Sequence, residues 1–227
     1  MKTIAIIPAG GSGLRTGTST PKQFLKFFGK ELLVYTLEVF QSSKMIDEIV
    51  VAANKSYFGL IDKLITKYTL NKVSKMVEGG NERQDSVFNA VSSLSLNKLD
   101  LIAVHDAARP LLSKETLNKA IKTAKEKGNA VVCIKARDTL LNASESRSNY
   151  PDRSNIYQIQ TPQIFRFGDL KEAFTKAYKQ NLIGTDESML MHNAGHKLHL
   201  VEGSLFNFKV TTSEDLVIFK KIMTSLR

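Results

Sequence analysis

TIAIIPAGGSGLR, residues 3–15, is the stretch on which the fold turns. The β-branched apolar run Thr3–Pro8 reads as a short strand, and the glycines of Ala9–Gly13 end it. Glycine lets the backbone turn tightly and bring its N–H groups against an anion. The same alternation continues downstream. Strands are expected at Ile46–Ala52, Val73–Val77, Leu99–Val104, Ala130–Ile134 and Lys197–Val201. Helices are expected at Glu31–Phe40, Ser56–Tyr68, Glu82–Leu94, Lys114–Glu126 with Ser113 as N-cap, Gly168–Lys179, Asp186–Asn193, and from Glu214. Strands alternating with helices, most of the strands almost wholly apolar, predict an α/β fold. Its sheet is Rossmann-like and mostly parallel, with helices on both faces.

The alternation breaks at Arg137–Ser154, which is polar and too long for a plain loop inside a compact domain. A protruding β-arm at about 137–158 is expected there, with strands near Thr139–Ala143 and Tyr157–Gln160. The chain of 227 residues, 42% apolar, suits a single domain over 1–227. One cysteine, Cys133, rules out an internal disulfide and a cysteine-based zinc site, and its apolar surroundings make it a small buried hydrophobe. The run Ile4–Pro8 is too short for a signal-peptide core, and no segment approaches the roughly 20 apolar residues of a membrane span. A reducing, cytoplasmic setting without a membrane partner is therefore expected. The net charge of +10 is carried by scattered lysines with no RNA-binding aromatic motif, so no nucleic-acid partner is expected.

Three sites fall at carboxyl ends of strands, where ligands bind in this architecture. The first is PAGGSGLR, residues 8–15, followed by Pro21-Lys22-Gln23. It is neither a GxxxxGK[ST] loop nor a dinucleotide fingerprint. Arg15 and Lys22 beside backbone amides would suit a triphosphate; a mere tight turn is the plainer alternative. The second is His105-Asp106-Ala107-Ala108-Arg109-Pro110. Asp106 could hold Mg²⁺ through oxygen and Arg109 a phosphate, or the two could form a structural pair. His105, with no second ligand at metal spacing, is expected to be structural. The third is Gly79-Gly80-Asn81-Glu82-Arg83-Gln84-Asp85-Ser86, a glycine pair entering a helix N-terminus that favours anions or carbonyl oxygens. Arg83 and Ser86 read equally well as ordinary first-turn residues. Arg153, Thr161, Thr185 and Lys209 are scattered polar positions that composition alone does not join.

The ordered set PAGGSGLR, PKQF, GGNERQDSV, VHDAARP, RDT, QTPQIF, TDES and NFKVTTSEDL resembles the 2-C-methyl-D-erythritol 4-phosphate cytidylyltransferases of non-mevalonate isoprenoid synthesis, from about Ile4 to Leu216. The resemblance implies CMP transfer from CTP to methylerythritol phosphate, with Mg²⁺ as cofactor and release of pyrophosphate. It implies that Arg15 and Lys22 bind the triphosphate and stabilise the transition state. Ala9, Gly10, Gly11, Gly13, Gly80, Ser86 and Arg109 would bind CTP. Asp106 would be the catalytic and metal-binding carboxylate. Arg153, Thr161, Thr185 and Lys209 would bind the acceptor, with Arg153 and Lys209 also catalytic. Arg153 would reach a partner subunit from the arm, making a homodimer.

The chain departs from the family pattern at PAGG, at Leu140-Leu141 after RDT, and at Ser188-Met189. Some of these drift toward ribitol 5-phosphate cytidylyltransferases, the alternative acceptor; Ala108 in HDAARP favours the isoprenoid enzyme. A nucleic-acid-binding domain and a non-catalytic scaffold are the rivals from other classes. The first leaves three Gly- or Asp-bearing strand ends unexplained, and Arg15, Lys22, Asp106 and Lys209 argue against the second.

Overall fold

The computed structural model describes residues 1–11, 20–143 and 148–225. In chain order its elements begin β1 (Thr3–Pro8), β2 (Lys26–Phe27), β3 (Lys30–Glu31), α1 (Leu32–Gln41), β4 (Glu48–Ala53), α2 (Phe58–Lys67), β5 (Val73–Glu78), α3 (Arg83–Ser92), β6 (Leu101–Val104), α4 (Lys114–Lys127) and β7 (Asn129–Lys135). They continue with β8 (Asn142–Ala143), β9 (Ser148–Asn149), β10 (Tyr157–Arg166), α5 (Phe167–Lys179), α6 (Glu187–Asn193), β11 (Leu200–Glu202) and α7 (Ser213–Ser225).

One seven-stranded sheet runs β11-β7-β10-β6-β1-β4-β5. All its neighbours pair in parallel except at β10, which is antiparallel to both β6 and β7. The opening strand β1 lies between β4 and β6. Because strand side chains alternate, β1 feeds two cores. Ala5 and Ile7 pack with Leu37 and Phe40 of α1, Ile61 of α2 and Ile121 of α4. Ile4 and Ile6 pack on the other face with Val87 of α3, Phe174 of α5 and Met191 of α6. Burying each such side chain stabilises the fold by about 1.5–3 kcal/mol. The α4 boundaries follow their caps. Ser113 Oγ accepts from Thr116 N at 3.0 Å, and Gly128 ends the helix at φ 91°.

A third cluster holds the C-terminal helix. Phe219 of α7 is fully buried with Leu32, Ala108 and Val210. Its ring meets Phe27 edge-on at 5.1 Å and Tyr35 at 5.5 Å. Val210 N donates to Ala108 O at 2.8 Å, so the segment before α7 runs beside the turn after β6.

Three sequence expectations change. Tyr157–Gln160 is not the return strand of the arm; it begins β10, where Tyr157 pairs with Lys135 and Ile159 with Cys133. The main sheet offers that backbone partners on β7 in two runs, separated by a register shift between Ile159 and Gln163, and among the described residues the arm keeps only the β8–β9 hairpin, with Asn142 opposite Asn149. The strand expected from Leu99 starts at Leu101, because the Asp100 carboxylate is turned to accept from Lys2 N and Asn97 N. The strand expected at Lys197–Val201 covers Leu200–Glu202.

Phe219→Ala should cost about 3–5 kcal/mol through the cavity it leaves. In urea the unfolding midpoint should fall with the slope unchanged; an unmoved midpoint contradicts the role given to this ring.

Candidate active site

Five chain segments meet at the carboxyl ends of the parallel strands and enclose a cleft of about 410 Å³. Pro8–Gly11 follows β1, Lys22 and Gln23 lie on the 3₁₀ turn Lys22–Phe24, Gly80–Ser86 enters α3, and Asp106–Ala108 follows β6, with Lys209 and Thr211 closing the wall. Of the expected residues, Ala9, Gly10, Gly11, Lys22, Gly80, Ser86, Asp106 and Lys209 line this space. Gly13 and Arg15 lie outside the described residues.

Gln23 is buried, and its side-chain amide donates to Ala9 O at 2.7 Å and Gly11 O at 2.9 Å. It ties the glycine turn to the segment that carries Lys22. Ser86 Oγ accepts from Gly80 N at 3.1 Å and donates to Glu82 O at 3.1 Å. A Cβ on Gly80 would run into the Asp85 Cβ, so only glycine lets the chain enter α3 this way. Glu82 and Asp85 form a reciprocal capping box at that helix start.

Asp106 is the electrostatic centre. Its Oδ1 accepts from Arg83 Nε at 2.9 Å, and its Oδ2 faces Lys209 Nζ at 3.0 Å and Arg109 Nε at 3.5 Å. Burial alone would raise its pKa. Arg83, Lys209 and Arg109 together outweigh burial and hold the carboxyl well below the usual carboxylate range. Arg109 also donates to Asn207 O at 2.7 Å, anchoring the wall that carries Lys209.

Beneath Asp106 lies a buried chain of hydrogen bonds. Asp106 N donates to Thr161 Oγ1 at 3.2 Å, and Thr161 Oγ1 is 3.0 Å from His105 Nδ1. His105 Nε2 is 3.0 Å from Arg109 O. A carbonyl can only accept, so Nε2 carries the proton and Nδ1 accepts from the Thr161 hydroxyl. Burial lowers the His105 pKa to about 4, which keeps this neutral tautomer, and the ring packs 5.1 Å from Phe40. His105 is therefore structural, as its isolation in sequence implied. Thr161, expected to touch the acceptor, is buried with its hydroxyl committed to the turn below Asp106.

Three other expected residues are absent from the cleft lining, Arg109 behind Asp106 and two that lie farther off. Thr185 is exposed just before α6, its Oγ1 3.8 Å from Met189 Sδ. Arg153 is on the arm, donating to Arg137 O at 3.0 Å from an exposed position.

The sequence reading named Arg83 in the third turn and Glu187 within TDES but gave neither a role. The Arg83 fork donates to Glu187 Oε1 at 2.8 Å and Oε2 at 3.0 Å while its Nε holds Asp106. These partners are 104 and 23 residues away in the chain. The only local signal was a charged pair, Arg83 and Glu187, each opening a helix after a polar turn.

Among the described residues no group of three or more His, Cys, Asp or Glu side chains could hold a metal ion. A Mg²⁺ that arrives on a triphosphate needs only one or two protein carboxylates, taking its other oxygens from phosphate and water. Asp106 fits that demand, and a dedicated protein cage does not.

The chain matches the family model described as 2-C-methyl-D-erythritol 4-phosphate cytidylyltransferase over residues 3–225. A Clostridium botulinum protein of that description is 37% identical over 227 residues, covering 99% of each chain. One from Clostridioides difficile is 39% identical over 220 residues, covering 96% of this chain and 92% of the relative. The crystal structure of the Anaerococcus prevotii 4-diphosphocytidyl-2C-methyl-D-erythritol synthase superposes with a TM-score of 0.87 at 28% identity, covering 98% of this chain and 96% of that one. The Francisella tularensis 2-C-methyl-D-erythritol 4-phosphate cytidylyltransferase gives 0.81 at 31%, covering 97% and 99%.

His105→Phe keeps the ring but leaves the Thr161 hydroxyl and the Arg109 carbonyl without their partner. Each buried unsatisfied group costs about 1–3 kcal/mol, so this variant should unfold at clearly lower urea than the unsubstituted chain. Equal midpoints would contradict the buried relay.

Proposed function

The chain belongs to the 2-C-methyl-D-erythritol 4-phosphate cytidylyltransferase family, and from that premise we propose how its cleft carries out the transfer. The enzyme moves CMP from CTP to methylerythritol phosphate and releases pyrophosphate, a step in isoprenoid precursor synthesis. The family names above all carry the methylerythritol acceptor, and nothing favours ribitol 5-phosphate.

A phosphate oxygen of the acceptor attacks the α-phosphorus of CTP in line with the departing pyrophosphate. A phosphomonoester dianion is already a nucleophile at neutral pH, so no general base is required. Catalysis then consists of positioning and charge neutralisation. The observation that carries this reading is a cleft walled by backbone turns and by Lys22, Arg83 and Lys209 around the buried, ionised Asp106 carboxylate. Ala9, Gly10, Gly11, Gly80 and Ser86 hold the cytidine part, since the turn after β1 and the α3 entrance face each other; a Cβ on Gly10 would lie 3.7 Å from Ser86 Oγ. Gly13 is assigned to CTP by its place in the same motif. Arg15 and Lys22 take the triphosphate and the charge that develops on the phosphorus. Arg109 and Lys209 are drawn to phosphate from Asp106. Thr161 serves the acceptor indirectly by fixing the turn that bears Asp106, and Thr185 lies two residues from the Glu187 that holds Arg83.

Nucleotidyl transfer of this class uses a divalent cation. We assign Mg²⁺ to Asp106 and the phosphates; when bound it screens the triphosphate charge and polarises the α-phosphoryl oxygens. Arg153 completes the acceptor site of a second copy. The arm supports this with exposed apolar side chains, Tyr150 at 72% and Leu141 at 51% exposure, which would be covered in a homodimer. The domain is then one unit with a dimerisation arm. No helix among the described residues is long and apolar enough to cross a membrane, and the buried thiol of Cys133 suits the reducing cytoplasm to which we assign the chain.

Lys22→Ala or Arg15→Ala should lower turnover at least ~100-fold, the scale of losing one charge-stabilising group, with the fold intact by circular dichroism. Near-normal turnover in either variant removes the role assigned. Pyrophosphate release from CTP should be faster with methylerythritol phosphate than with ribitol 5-phosphate; the opposite preference overturns the acceptor. Sedimentation should show a dimer, and a monomer with full activity contradicts the shared site.

A further inference from the structure

Arg83 lines the cleft and Glu187 holds it from behind, and the transfer itself assigns neither a contact with substrate. Glu187 opens α6 and is 1% exposed. It is not mobile: Ser188 N donates to Gln163 Oε1 at 2.8 Å, and Asp186 caps the helix by accepting from Met189 N at 2.9 Å. The loop before it is tied to α3, with Gly184 N donating to Gln84 Oε1 at 2.7 Å and Gln84 Nε2 donating to Leu182 O at 3.2 Å. Both oxygens of Glu187 take the two Nη groups of Arg83, and only Nε is left to face Asp106. A guanidinium used on both edges has its plane fixed.

Three cations hold Asp106, but they are not equivalent. Arg109 and Lys209 meet Oδ2, whereas among the described residues only Arg83 meets Oδ1. Incoming phosphates compete for Lys209 and Arg109. They cannot draw Arg83 away without leaving Glu187 buried and unpaired, which is strongly unfavourable. We propose that Arg83, clamped by Glu187, is the positioning residue that keeps the Asp106 carboxylate aimed at the nucleotide's divalent cation after Lys209 has moved to phosphate. This role rests on the transfer reading above. Glu187 acts through Arg83, and Lys209 serves as a parked counter-charge that substrate displaces.

The test uses the full chain with Arg83→Gln, Glu187→Gln and the double substitution. Arg83→Gln alone strands a buried carboxylate and should melt lower. The double variant removes both charges and should regain most of that stability. Positioning should not return with it. Mn²⁺ binding in the presence of CTP and without acceptor, followed by electron paramagnetic resonance, should weaken about 10–100-fold in the double variant, as for lost support behind a metal ligand. The Mg²⁺ concentration for half-maximal turnover should rise in parallel, with KM for methylerythritol phosphate changed much less. Glu187→Gln in the Arg83→Gln background should add little to the Mn²⁺ effect. A purely structural pair predicts that Mn²⁺ binding recovers together with stability, and that result overturns the proposal. If the double variant fails to fold, Arg83→Lys decides. It keeps the charge but not the fork, and unchanged Mn²⁺ binding in that folded variant likewise overturns the role. An unsubstituted chain that binds Mn²⁺ and CTP but gives no transfer contradicts the functional reading instead. One that turns over while the variants bind Mn²⁺ normally contradicts the positioning role alone.

Discussion

A buried carboxylate cannot stay ionised without compensation, and the cleft of this protein is organised around that demand at Asp106. Its three counter-charges come from separate parts of the chain: Arg83 from the start of α3, Arg109 from the turn after β6, and Lys209 from the segment before α7. Holding one charge therefore fastens three elements together at the carboxyl edge of the sheet. The anchoring extends outward through Glu187 to α6, through Asn207 to the wall, and through Thr161 and His105 to β10. The sheet supplies and spaces the strand ends, and the ion cluster ties together the segments that leave them.

The same cluster gives the site its chemistry. A charge-rich cleft without bound anions would repel itself, and Asp106 keeps the cations in place by neutralising part of them. Phosphate oxygens can then substitute for the carboxylate at Lys209 and Arg109 with little rearrangement, which is the sense in which such sites are preorganised. Gln23 does the equivalent for the start of the glycine turn, since its two hydrogen bonds hold the Ala9 and Gly11 carbonyls. No acid–base machinery is required of His105, which burial keeps neutral and committed to its neighbours.

Much of this was legible in the sequence. The apolar strands and helical spacing of the first half set the parallel sheet, because their periodicity is local. The glycine turn after Pro8 and the Asp106 turn were identifiable because position after a strand implies position at the ligand edge. What the sequence hid was non-local. Nothing in Tyr157–Arg166 announces that it inserts antiparallel between two strands that run the other way, so the second strand expected for the arm became part of the sheet. Nothing marks Arg83 as different from a surface first-turn arginine until Glu187 is brought to it from 104 residues away. Thr161 reads as a binding residue within its motif, yet burial turns its hydroxyl inward. Pairing across the fold decided these cases, and composition carries no record of it.

The most direct measurement is a crystal structure of the chain with CTP, Mg²⁺ and methylerythritol phosphate. The account predicts Lys209 Nζ withdrawn from Asp106 and bonded to phosphate, with Arg83 still forked on Glu187 and its Nε still on Asp106. Arg83 released from Glu187 to bind phosphate, or Lys209 still paired with Asp106 while both substrates are seated, would contradict it.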